Sequence, residues 1–92
     1  MGVTVKLPST LRRFAFNLDQ VTVENANTVL DALKRVVEEH PRLHSRLFAN
    51  DGQFFSFVSV FVNSQDIRNL QREATPVKAG DTITLIPAIA GG

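Results

Sequence analysis

The chain has 92 residues, of which 43% are apolar and 21% charged, with a formal net charge of +1. That is enough for one folded domain, too apolar and too nearly neutral for a disordered chain, and too short for two domains. It contains no cysteine, so disulfides and thiolate metal sites are excluded, and any sulfur it handles does not ride on a thiol of its own.

Ten Lys and Arg are offset by nine Asp and Glu spread along the chain, so no basic stripe for nucleic acid is implied, and Arg12-Arg13 and Arg42/Arg46 read as solvated surface. No apolar run approaches the ~20 residues that span a bilayer. The N-terminus carries no secretory pattern, and Lys6 stands where a myristoylation motif needs Ser or Thr. The expectation is a cytoplasmic protein, monomeric when free.

Val3-Thr4-Val5-Lys6-Leu7 alternates apolar and polar residues and reads as a half-buried strand. Val21-Thr22-Val23-Glu24 reads as its hairpin partner. The long connection, Pro8 to Gln20, is expected to extend the strands. Thr28 is a good N-cap, with Asp31 near the positive end of the helix that follows. Apolar residues at Val29, Leu30, Leu33, Val36 and Val37 make one stripe at a period of 3.6 and predict a helix over 29–40. Pro41 ends it. Leu43 and Leu47 suggest one short helical turn on the core, and Asn50-Asp51-Gly52 a turn.

Phe57-Val58-Ser59-Val60-Phe61-Val62 is the clearest strand, ended by a tight turn at Asn63-Ser64-Gln65-Asp66. Ile67 to Leu70 reads as a short edge segment. After the Ala79-Gly80-Asp81 turn, Thr82-Ile83-Thr84-Leu85-Ile86 is the last strand, stopped by Pro87. The order strand, strand, helix, strand, short strand, strand predicts an α+β fold. One main helix packs on a mixed sheet of four to five strands, which is the ubiquitin-like β-grasp arrangement. The domain is expected over 1–87, with 88–92 a flexible tail ending in Gly-Gly.

That tail, Ala88, Ile89, Ala90, Gly91 and Gly92, carries the functional signal. At average glycine usage a Gly-Gly terminus arises by chance in about one chain in 200. Six extended residues from Pro87 reach at most ~20 Å. Glycines let a backbone pass through a narrow channel into another protein's active site. A carboxylate is ionised at neutral pH and is a poor electrophile. Adenylation would activate it, and attack by a sulfur nucleophile would leave a thiocarboxylate. No phosphate-cradling loop is present, so ATP must be bound elsewhere.

Three stretches carry a family resemblance: Val3-Thr4-Val5-Lys6-Leu7-Pro8 with Leu11-Arg12; Phe57 to Asn63 with Asp66-Ile67-Arg68; and Gly80 to Gly92. On these the chain resembles the ThiS/MoaD sulfur-carrier family, nearest to its CysO type. It departs from that type in the first hairpin, where Phe14-Ala15-Phe16-Asn17 lacks glycine. The resemblance implies a carrier that is not itself an enzyme. Its Gly92 carboxylate would be adenylated by an E1-like adenylyltransferase of the MoeB/ThiF type using ATP and Mg, with no cofactor bound to the carrier. Downstream it implies a PLP-dependent cysteine synthase with a metalloprotease, or the large subunit of molybdopterin synthase. Conjugation to lysines through Gly92 and a permanent small-subunit role remain alternatives.

If Val58, Val60 and Val62 face the helix, Phe57, Phe61 and Ile86 form an outward apolar patch beside the tail, a candidate docking surface. His40 and His44 stand four apart, but Pro41 lies between them and no third ligand is evident, so they read as surface histidines rather than a metal site. No Ser, Asp or Glu constellation supports catalysis.

Overall fold

The computed structural model describes residues 2–48 and 58–87. Five strands form one mixed sheet: β1 (Val3–Lys6), β2 (Gln20–Val23), β3 (Val58–Val62), β4 (Gln65–Asp66) and β5 (Thr82–Pro87), in the spatial order β2-β1-β5-β3-β4. The main helix, α1 (Val29–Glu39), covers one face, and a short α2 (His44–Leu47) follows it. β1 and β5 pair in parallel, and every other pairing is antiparallel. β3 therefore runs in the direction of β2, as the helical crossover predicts, but two strands lie between them.

Alternation decides which side chains enter the core. Val3, Val5, Val21, Val23, Val58, Val60, Val62, Ile83 and Leu85 point to the helix side and are buried. Val29, Ala32, Leu33 and Val36 meet them from α1, while Leu30 and Val37 of the expected stripe are only half-buried. Leu43 and Leu47 are fully buried, on a 3-10 turn and on α2 respectively.

The start of α1 is fixed as the sequence predicts. Thr28 is extended, and its Oγ1 accepts from the Asp31 backbone N–H at 3.1 Å. The Asp31 carboxylate in turn accepts from the Asn27 N–H at 3.3 Å. The helix closes at Glu39, with His40 as its C-cap.

Three expectations are corrected. The connection from β1 to β2 does not extend the strands beyond one bond, Leu7 N–H to Asp19 C=O. It turns instead through a 3-10 helix, Arg12–Phe14, and through Phe16 and Asn17 at φ of 54° and 61°. The edge segment lies at Gln65–Asp66, earlier than expected, because Asn63 and Ser64 at φ of 49° and 79° close a two-residue hairpin. Ile67–Asn69 is then a 3-10 turn whose Arg68 N–H donates to the Asp66 carboxylate at 2.9 Å. Pro87 does not stop the last strand but forms its final residue, opposite Val58. There, at the end of the ladder, a missing N–H costs least.

At the other end of β5, Gly80 takes a φ of 94°, which a side chain would strain. Asn63 locks the adjacent corner: its amide donates to Asp81 at 3.0 Å and its carbonyl oxygen accepts from the Thr82 N–H at 3.0 Å. The Asn63 bond, reinforced by the Lys78 N–H, holds the Asp81 carboxyl below its ordinary value.

Thr28→Ala removes the side-chain N-cap of α1. It is expected to cost about 1 kcal/mol and to lower the melting temperature by about 4–8 °C. Thermal denaturation followed by circular dichroism measures this directly.

Candidate functional site

Because β5 lies between β1 and β3, the chain leaves the sheet from its centre. The β1 pairing covers Thr82 to Thr84, whereas β3 pairs with β5 as far as Pro87. Ile86 and Pro87, beyond the β1 register, are thus paired on the β3 side only. Residues 88–92, including the candidate site Gly92 and the threading residues Ala88, Ile89, Ala90 and Gly91, lie outside the described residues, as does Phe57.

Two surfaces flank this end of the sheet. On the open face, away from α1, Ile86 is 45% exposed and stands opposite Ser59; Phe61, half-buried, stands opposite Thr84. Ile86 and Phe61 are therefore diagonal neighbours on one face, as alternation predicts. Lys6, which pairs with Thr84 from the other side, is exposed beside them.

The second surface is on the helix side, and the sequence reading missed it. β1 is parallel to β5, so the loop after Lys6 lies at the end where β5 terminates. In that loop Arg12 Nε donates to the Leu7 carbonyl at 3.1 Å. The Phe14 ring gathers three guanidiniums: Arg13 at 5.3 Å, Arg42 at 5.4 Å and Arg46 at 4.6 Å from its centroid. Each such cation–π contact contributes about 0.5–1 kcal/mol at an exposed site. The arginines that look scattered along the chain thus form one patch. Only a spacing of four between Arg42 and Arg46 hinted at it, because Arg13 comes from a distant loop.

The histidines need a further correction. His44 is exposed and stacks on Phe48 at 5.2 Å, but His40 is only 8% exposed. Pro41 turns the chain sharply at the end of α1, and this draws the His40 ring inward, edge-on to Phe16 at 5.7 Å. Among the described residues its Nδ1 has no hydrogen-bond partner. Among the described residues no group of three or more His, Asp or Glu is placed to hold a metal ion. No helix among them is long and apolar enough to cross a membrane.

The ThiS family profile matches residues 5–92. The chain belongs to the ThiS family. It is 30% identical over 94 residues to the sulfur carrier protein CysO of Mycobacterium tuberculosis, covering all of both chains. It is also 38% identical over 73 residues to small archaeal modifier protein 1 of Haloferax volcanii, covering 79% of each. In three dimensions it is similar to a chain in the crystal structure of the Amycolatopsis orientalis BexX/CysO complex. That likeness has a TM-score of 0.86 and 34% identity and covers 98% of this chain and 99% of the other. The fold is the ubiquitin-like β-grasp.

The two faces of β5 are separable by mutation. Ile83→Ala, at a fully buried position, is expected to cost about 2–5 kcal/mol, and Ile86→Ala to stay within about 0.5 kcal/mol. Urea unfolding of both variants checks the assignment.

Proposed function

We propose that this ThiS-family protein carries sulfur as a thiocarboxylate on Gly92 and is a substrate of enzymes rather than an enzyme. The observation that supports the reading is the family match, which spans residues 5–92, from within β1 to residue 92. The sheet gives this a physical setting. The strand leading to the tail is central and anchored in the core by Ile83 and Leu85, while Phe61 and Ile86 offer an apolar footing at its root.

An E1-like adenylyltransferase of the MoeB/ThiF type supplies the ATP and Mg site. A Gly92 carboxylate oxygen attacks the α-phosphorus of ATP, and pyrophosphate leaves. The acyl-adenylate so formed has a good leaving group where the carboxylate had none. A sulfur nucleophile then adds to the carbonyl carbon and AMP departs with the oxygen, leaving a thiocarboxylate. The carrier's own part is mechanical: β5 fixes where residue 88 begins, and the Phe61/Ile86 face offers a surface for docking. A CysO protein has been crystallised in complex with BexX, and by analogy this chain docks on its partners as a folded unit. A downstream enzyme of the PLP-dependent cysteine synthase type is the acceptor that fits the CysO likeness, with a metalloprotease completing release.

Likeness to a small archaeal modifier protein favours a second reading. The same acyl-adenylate, attacked by a lysine amine instead of sulfur, gives an isopeptide bond. Both readings share the activation step and differ in the nucleophile.

Incubation with the E1-like adenylyltransferase of the source organism, ATP, Mg and sulfide is expected to raise the intact mass by the difference between sulfur and oxygen. Deletion of Gly92 abolishes the gain. A wild-type chain that gains no mass contradicts the carrier reading, and lysine-linked products in place of the thiocarboxylate favour the second.

A further inference from the structure

The patch around Phe14 has features that folding alone does not require. Arg13, Arg42 and Arg46 carry like charges towards one ring, and all three are exposed. Among the described residues none of them pairs with a carboxylate. Like charges gathered on one surface repel unless an opposite charge is brought to them. Beside them Phe16 is 83% exposed and holds a φ of 54°. For a bulky side chain that is a true backbone outlier, and such strain concentrates where a surface is used. Exposed aromatic and arginine side chains together are also the composition of energetic interface centres.

The location says which interface. Arg12 is tied to Leu7, one residue beyond the Lys6–Thr84 pair that closes the parallel ladder. Leu7 therefore stands level with Leu85, and two residues of strand, about 7 Å, separate that level from Pro87. A standard interface covers roughly 800 Å² per partner, a disc ~30 Å across. An enzyme centred on the root of the tail extends over this patch.

We propose that Arg13, Arg42 and Arg46, gathered on Phe14 with Phe16 at their edge, dock on a carboxylate-bearing surface of the adenylyltransferase that activates Gly92. The inference rests on the carrier reading above, and activation is the step that both forms of that reading share. The patch lies on the helix side of the sheet and the Phe61/Ile86 surface on the open side, so the enzyme grips the end of β5 from both. The arginines steer the encounter and set affinity, while the chemistry stays at Gly92.

The test compares wild type with the R13E/R42E/R46E and R13K/R42K/R46K variants. Each is assayed for ATP-dependent thiocarboxylate formation by the same adenylyltransferase over a range of salt concentrations. Circular dichroism confirms that all three are folded. Charge reversal is expected to raise KM about tenfold at low salt with kcat unchanged. The gap should narrow as salt rises, and the lysine variant should keep most of the wild-type affinity. A wild-type chain that is never activated overturns the carrier reading and this proposal together. Normal activation with an unchanged KM, or a KM raised equally at every salt concentration, overturns this proposal alone. Loss of binding to a single-stranded RNA oligonucleotide with KM intact would assign the patch to nucleic acid and also overturn it.

Discussion

The pairing of β1 with β5 joins residues 4–6 to residues 82–84 and brings the two ends of the domain side by side in the middle of the sheet. Much of the remaining architecture follows from it. Val5 and Ile83, paired across this ladder, are both fully buried and lie at the centre of the core. With β2 on one flank and β3 on the other, neither central strand has a free edge along the paired stretch. The strand that leads to the tail is therefore among the most firmly held, and the last residues before the tail are gripped by β3 alone. The proposed carrier role would use that contrast, because a firmly held strand fixes where residue 88 begins.

The same parallel pairing decides what surrounds the root of the tail. It puts the β1–β2 connection at that end, and the turn at Pro41 returns the chain from α1 to the same place. A loop and a helix end distant in sequence meet at Phe14 and Phe16. The surfaces at the root differ in chemistry: apolar on the open face, cationic and aromatic on the helix side. An apolar footing supplies buried area, whereas guanidiniums supply direction and rate at a distance. Together they would let one small domain be recognised by enzymes that share no reaction beyond taking hold of its tail.

Much of this was legible from local rules. The alternation in Val3–Leu7 and Val58–Val62 assigns both faces of the sheet correctly, since a strand has only two. Thr28, Asp31 and Pro41 bound α1 within one residue because capping and helix breaking act on nearest neighbours. What stayed hidden depends on contacts across the chain or on unusual backbone. Phe16 occupies the left-handed region without being glycine or asparagine, so no turn signal marks it. His40 is buried although its neighbours Glu38 and Glu39 are exposed, because Pro41 redirects it. The arginine patch needs the fold to exist before it can be seen. Likewise Ala32, outside the expected stripe, is fully buried, while Leu30 and Val37 are half-buried.

The central claim concerns one atom group, the carboxyl carbon of Gly92, and carbon-13 NMR reads that carbon directly. In a chain labelled at the glycine carbonyls, activation in the presence of ATP and sulfide should move the Gly92 resonance alone to the thiocarboxylate position while Gly80 and the other glycines hold theirs. A Gly92 resonance that stays at the carboxylate position while the enzyme turns over ATP would contradict the account.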